Sequence, residues 1–127
     1  MLQNANIMTF VGTRDAARAK VFYQDTLGPM LGLTLVEENS FALVFDSGGI
    51  MLRVTNVREL NPAAYTVLGW EVNDITAGVR QLVAAGIAFA RYPGLTQDED
   101  GVWTSPSGAR VAWFPDPDGN MLSLTQF

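Results

Sequence analysis

Few side chains in this sequence can do chemistry, and their types narrow the choices at once. The chain has no histidine and no cysteine. That excludes a Ser-His-Asp arrangement, a Cys-His pair and any thiolate nucleophile or ligand. General acid–base work would then fall to Asp, Glu, Tyr or Lys. By position the candidates are Glu71 and Tyr23, each with a plain alternative as a solvated carboxylate and a core tyrosine on a helix face. Arg53, in "GGIMLRV", could hold an anion bidentately or extend its stem to a solvated rim. The aromatics Phe10, Tyr92, Trp103 and Trp113 could stack on a planar ligand or simply pack a core. Trp103 lies in a turn-rich segment where core packing is less expected. "DSGG", Asp46 to Gly49, reads as a hairpin turn, because no Gly-Lys-Ser/Thr follows to make a phosphate loop. "QDEDG" reads as an acidic surface loop.

The elements that would position these residues belong to one globular domain, residues 1–127. Apolar residues are 48% of the chain and charged residues 17%, the balance of a folded protein. A net charge of −5, with Lys20 the one lysine, argues against a nucleic-acid partner, which needs clustered cations. The same charge would suit a cationic ligand, and it is also an ordinary solubility charge. No apolar run reaches the roughly 20 residues of a membrane span. The opening "MLQNANIMTF" lacks the basic start and long apolar run of a secretion signal, so a cytoplasmic location is expected.

Two halves of the chain echo each other. "GGIMLRV" aligns with "DGNMLSL", placing Arg53 opposite Ser123, and "MTFVGTRD" aligns with "VLGWEVND", placing Met8 opposite Val67. The second half is longer, and its extra residues fit the turn-rich "YPGLTQDEDGVW". The expected division is 1–57 for the first half, 58–65 for a linker and 66–127 for the second half. Each half reads as strand, helix and three strands. The first helix should run from Asp15 to Leu27, with Ala19, Phe22, Tyr23 and Leu27 on one face, Thr13 or Asp15 as cap and Gly28 as stop. The second should run from Asp74 to Ala85, with Gly86 as stop. Strands are expected at Thr34–Glu37, Phe41–Phe45 and Ile50–Thr55, then at Ala88–Tyr92, Arg110–Phe114 and Met121–Thr125, with a short extended piece at Val102–Thr104. Alternation puts Leu52, Val54, Leu122 and Leu124 toward the helices. It leaves Met51, Arg53, Thr55, Met121, Ser123 and Thr125 to line a concavity.

The repeated βαβββ pattern, "RDAARAKVFYQDTLG" near the start and "FPDPDGN" before the last strand resemble the vicinal oxygen chelate superfamily across nearly the whole chain. That superfamily includes glyoxalase I, bleomycin-resistance proteins and extradiol dioxygenases. The resemblance implies an α+β fold of two βαβββ repeats forming curved mixed sheets. In metal-dependent members, ligands come from the first and last strands of each half. Here those positions carry Met8, Arg53, Val67 and Ser123, none a usual ligand for a hard or borderline divalent ion. A metal-free protein without cofactor is expected, and with it no lactoylglutathione lyase activity, since that reaction needs a metal to stabilise an enediolate. The bleomycin-resistance branch then suggests a module that binds a small organic molecule through Met8, Phe10, Arg53, Val67, Trp103, Trp113 and Ser123. The alternative is a metal-independent isomerase or lyase with Glu71 as base and Arg53 steadying an oxyanion. A homodimer is expected, seamed by the strands Ile7 to Gly12 and Thr66 to Glu71, whose open edges need cover.

Overall fold

The computed structural model describes all of residues 1–127. The chain separates into two compact units, Met1–Asn61 and Pro62–Phe127. Each unit holds one four-stranded mixed sheet that does not close, and the two sheets share one strand order. The first contains β1 (Met8–Thr13), β2 (Leu33–Glu38), β3 (Ala42–Ser47) and β4 (Ile50–Asn56), ordered β1-β4-β3-β2. The second contains β5 (Thr66–Glu71), β6 (Trp103–Thr104), β7 (Arg110–Pro115) and β8 (Met121–Gln126), ordered β5-β8-β7-β6. In both, the outer first strand pairs parallel with the last, and the remaining pairs are antiparallel. This is the α+β arrangement expected of two repeats.

Helices cover one face of each sheet. In the first unit, α1 (Ala16–Lys20) starts at Asp15, whose carboxylate accepts from Arg18 N at 3.1 Å, while the Thr13 hydroxyl accepts from Asp15 N. The helix widens to a π-helical stretch, Val21–Leu27, and continues as α2 (Gly28–Leu31). Gly28 therefore does not stop it. Gly28 keeps right-handed helical geometry, and a Cβ there would sit 3.0 Å from the Leu33 carbonyl oxygen, so the glycine serves a close approach. The stop is Gly32, at φ 72°. In the second unit, α3 (Ile75–Ala84) is capped by Asp74, which accepts from Ala77 N at 3.1 Å, and it ends at Gly86 with φ 97°.

The apolar alternation delivers the cores. Leu52 and Val54 of β4 are fully buried with Phe45, Leu27 and Tyr23 beneath the first helix. Leu122 and Leu124 of β8 are buried with Phe114, Ile75, Val79 and Leu82 beneath α3. Each such side chain contributes about 1.5–3 kcal/mol by leaving water. Tyr23 packs edge-on to Phe22 at 5.0 Å and lies 6.1 Å from Phe45. It is a core residue and is out of reach of any solvent-borne substrate.

The segment Ala88–Tyr92 is not a strand. The Gln97 side chain occupies the backbone groups that a neighbouring strand would use. Its Oε1 accepts from Tyr92 N, and its Nε2 donates to the carbonyls of Ala90 and Gly101. Only Ala90 N reaches across to the Trp113 carbonyl. The short β6 takes the place beside β7 instead. No helix is long and apolar enough to cross a membrane.

Candidate functional site

Strand register arranges the helix-free face of each sheet into rows. In the first sheet, Met8, Met51, Asp46 and Thr34 are successive cross-strand partners over β1, β4, β3 and β2. The next row is Phe10, Arg53, Val44 and Glu37. Met8 and Phe10 are 43% and 59% exposed, large values for apolar side chains inside a strand. Arg53 is half-buried. A cavity of about 590 Å³ opens over the first row. Met8, Met51, Asp46 and Thr34 line it, joined by Ile7 and by Val36. Val36 is available because it is the extra residue of a bulge between Leu35 and Glu37. Phe10 and Arg53 lie outside this lining, one row further along.

In the second sheet the rows are Thr66, Met121 and Pro115, then Gly69, Ser123 and Trp113, then Glu71, Thr125, Val111 and Trp103. Val67 is the extra residue of a bulge between Thr66 and Leu68 and is exposed. Thr66, not Val67, therefore meets Met121 as Met8 meets Met51. Ser123 is only 5% exposed. A Cβ placed on Gly69 would fall 2.6 Å from the Ser123 Oγ, so the hydroxyl fills the space that the glycine leaves. Trp113 stands in the same row and is flanked by Tyr92, edge-on at 5.4 Å, and by Trp103, tilted at 6.0 Å. A smaller cavity of about 240 Å³ is lined by Trp113, Tyr92, Tyr65, Leu95, Met121 and Thr66 among others, with no charged residue. Glu71 is exposed at the end of β5.

Of the residues singled out from sequence, Met8 and Met51 join the larger cavity, and Tyr92, Trp113 and Met121 the smaller. Asp46 was absent from that set because "DSGG" reads as a turn. The signal for it is parity: Asp46 lies two residues beyond Val44 on β3 and so shares its face, in register with Met51.

The acidic loop is held by cations. The Arg91 guanidinium donates to the carbonyls of Asp98 and Glu99, both at 2.6 Å, and Arg110 lies 3.8 Å from the Asp98 carboxylate. Arg80 donates to Asp100 at 3.3 Å, and that hydrogen bond holds its guanidinium above the ordinary arginine value. Nowhere do three or more Asp or Glu side chains group to hold a metal.

Paired sheets of this order, each backed by helix on one face, define an α+β protein of two βαβββ-type repeats. The family model of the Glyoxalase/Bleomycin resistance protein/Dioxygenase superfamily matches residues 7–124, and the chain belongs to that superfamily. Solved structures agree on the fold. A bleomycin resistance determinant encoded on transposon Tn5 superposes with a TM-score of 0.70 at 23% identity, covering 97% of this chain and 98% of its own. A bleomycin-binding protein complexed with bleomycin gives 0.68 at 23% identity, covering 98% and 99%. A lactoylglutathione lyase from Agrobacterium tumefaciens gives 0.71 at 19% identity, covering 97% and 93%. No curated protein matches the chain.

Proposed function

We propose that this chain binds a small organic molecule on the helix-free faces of its sheets, without a metal. The observation that carries the reading is the cavity of about 590 Å³ in the first unit, lined chiefly by Met8, Met51, Ile7 and Val36. Small-molecule sites commonly measure about 300–1,000 Å³ and are mostly apolar with a few polar groups. The donor set argues against a metal. Met8 offers a soft thioether, Arg53 a cation, and Ser123 and Thr66, which register puts in the place expected for Val67, weak neutral hydroxyls. These residues do not fit a divalent ion. The bleomycin-bound relative, similar in fold, is a precedent for holding an organic ligand.

The reading includes a homodimer in the cytoplasm. β1 and β5 are edge strands in their sheets, and their open backbone edges are what a second copy would cover. Sedimentation equilibrium should give twice the 13.8 kDa of one chain. A single species at chain mass over tens of micromolar would remove the dimer.

The metal-free part of the claim is tested by calorimetry with Zn²⁺, Ni²⁺, Mn²⁺ and Fe²⁺. The expected outcome is no stoichiometric heat at affinities tighter than about micromolar, the ~8 kcal/mol that needs several good donors. Tight one-to-one metal binding would overturn it.

A further inference from the structure

We infer that the cavity of the first unit selects an organic cation: a molecule with a protonated amine and an apolar body, its amine at Asp46. The inference rests on the binding reading above and adds the ligand class.

Asp46 is the one charged residue among those lining the cavity. Its carboxylate takes no part in the ion pairs Lys20–Glu38, Arg80–Glu99, Arg80–Asp100 or Arg110–Asp98. It stands in a row between the thioether of Met51 and the hydroxyl of Thr34, with the Asn6 amide also at the wall. An ammonium has three donors and no acceptor, and a carboxylate, a hydroxyl and an amide oxygen are the acceptors that suit it. Met8, Met51, Ile7 and Val36 offer an apolar surface for the rest of the molecule, and thioethers adapt well to irregular shapes.

Arg53 sets the direction. It is the diagonal neighbour of Asp46, one row along, since Arg53 pairs with Val44 and Met51 pairs with Asp46. Diagonal neighbours in an antiparallel pair lie roughly 7–8 Å apart. A ligand cation is drawn to Asp46 and turned back from the Arg53 row, so the body extends over Met8 and Met51. An anionic ligand would meet the Asp46 carboxylate in the cavity and be disfavoured. The net charge of −5 adds attraction for cations at low salt.

The test uses three probes with one body and three heads: phenethylamine, 2-phenylethanol and phenylacetate, titrated at pH 7 into protein labelled at the methionine methyl groups. Binding is read from the Met8 and Met51 methyl resonances. Asp46 is exposed, so the amine should bind about two- to fivefold more tightly than the alcohol, the usual worth of an ion pair open to water, and phenylacetate should bind weakest. Asp46→Asn should bring the amine to the level of the alcohol and leave the alcohol unchanged, and Asp46→Glu should restore part of the preference. Equal binding of amine and alcohol, or a preference that survives Asp46→Asn, would overturn the cation assignment while leaving the binding reading intact. Failure of all three probes to move either methyl at millimolar concentration would overturn both. Methyl shifts that follow protein concentration and ignore the probes would mean that a second copy covers the cavity, which also overturns the assignment.

Discussion

In the first sheet the middle row of the helix-free face is Phe10, Arg53, Val44 and Glu37, and in the second the matching row is Gly69, Ser123 and Trp113. One row carries two ionisable groups and an exposed phenylalanine. The other has lost its side chain on the edge strand and filled the gap with a buried hydroxyl. Behind both rows the covered faces are alike: Leu52 and Val54 in one, Leu122 and Leu124 in the other, all buried. The difference teaches where a duplicated fold is constrained. The centre of the covered face must exclude water, so its alternation repeats there. The open face carries less of that demand, Val44 and Ser123 being buried while Met8 and Phe10 are exposed, and the halves diverge there into a methionine-lined cavity with one carboxylate and an aromatic cluster without charge.

The largest effects should come from the shared face. Leu52→Ala and Leu122→Ala should each destabilise the protein by about 2–5 kcal/mol, by lost transfer energy and the cavity left behind. Denaturant unfolding measures both. A Leu122→Ala cost below about 1 kcal/mol would show that the second core is not built as the first is.

Gly69 should come next. Gly69→Ala drives a Cβ to 2.6 Å from the Ser123 Oγ and should cost about 1–3 kcal/mol. Adding Ser123→Gly should recover part of that loss, a coupling readable in a double-mutant cycle. Additive losses would separate the two residues and dissolve the contrast with Phe10 and Arg53.

The two helix caps should behave as a matched pair. Asp15→Ala and Asp74→Ala each remove a carboxylate that accepts a backbone N–H at 3.1 Å and should each cost about 0.5–2 kcal/mol. Arg53→Met and Phe10→Ala, on the open face of the first sheet, should stay within about 0.5 kcal/mol in stability. A larger loss at either would mean that the open face is also a folding surface.

The repeat, the covered faces, both aspartate caps and most strand bounds were legible in the residues, because period-two alternation and capping chemistry are local signals. The misses share a cause, which is local irregularity that side-chain pattern does not report. The π-helical stretch Val21–Leu27 keeps its buried residues on one side, so periodicity does not reveal the widened turn. The bulges at Val36 and Val67 add one residue without disturbing the apolar count, so counting along the chain placed Val67 opposite Met8 where register places Thr66. The strand expected at Ala88–Tyr92 was lost to Gln97, whose amide mimics a neighbouring strand from a loop. For the site, Met8, Met51 and Met121 on the open faces and the aromatics Tyr92 and Trp113 were legible. Asp46 was hidden by its turn-like setting.

The central claim is that the chain holds an organic molecule without a metal, and a native mass spectrum of the protein as purified, recorded before and after a chelator, tests it most directly. The account predicts an added organic mass that survives the chelator, with no metal at one per chain. A stoichiometric metal adduct whose removal also releases the organic mass would contradict it.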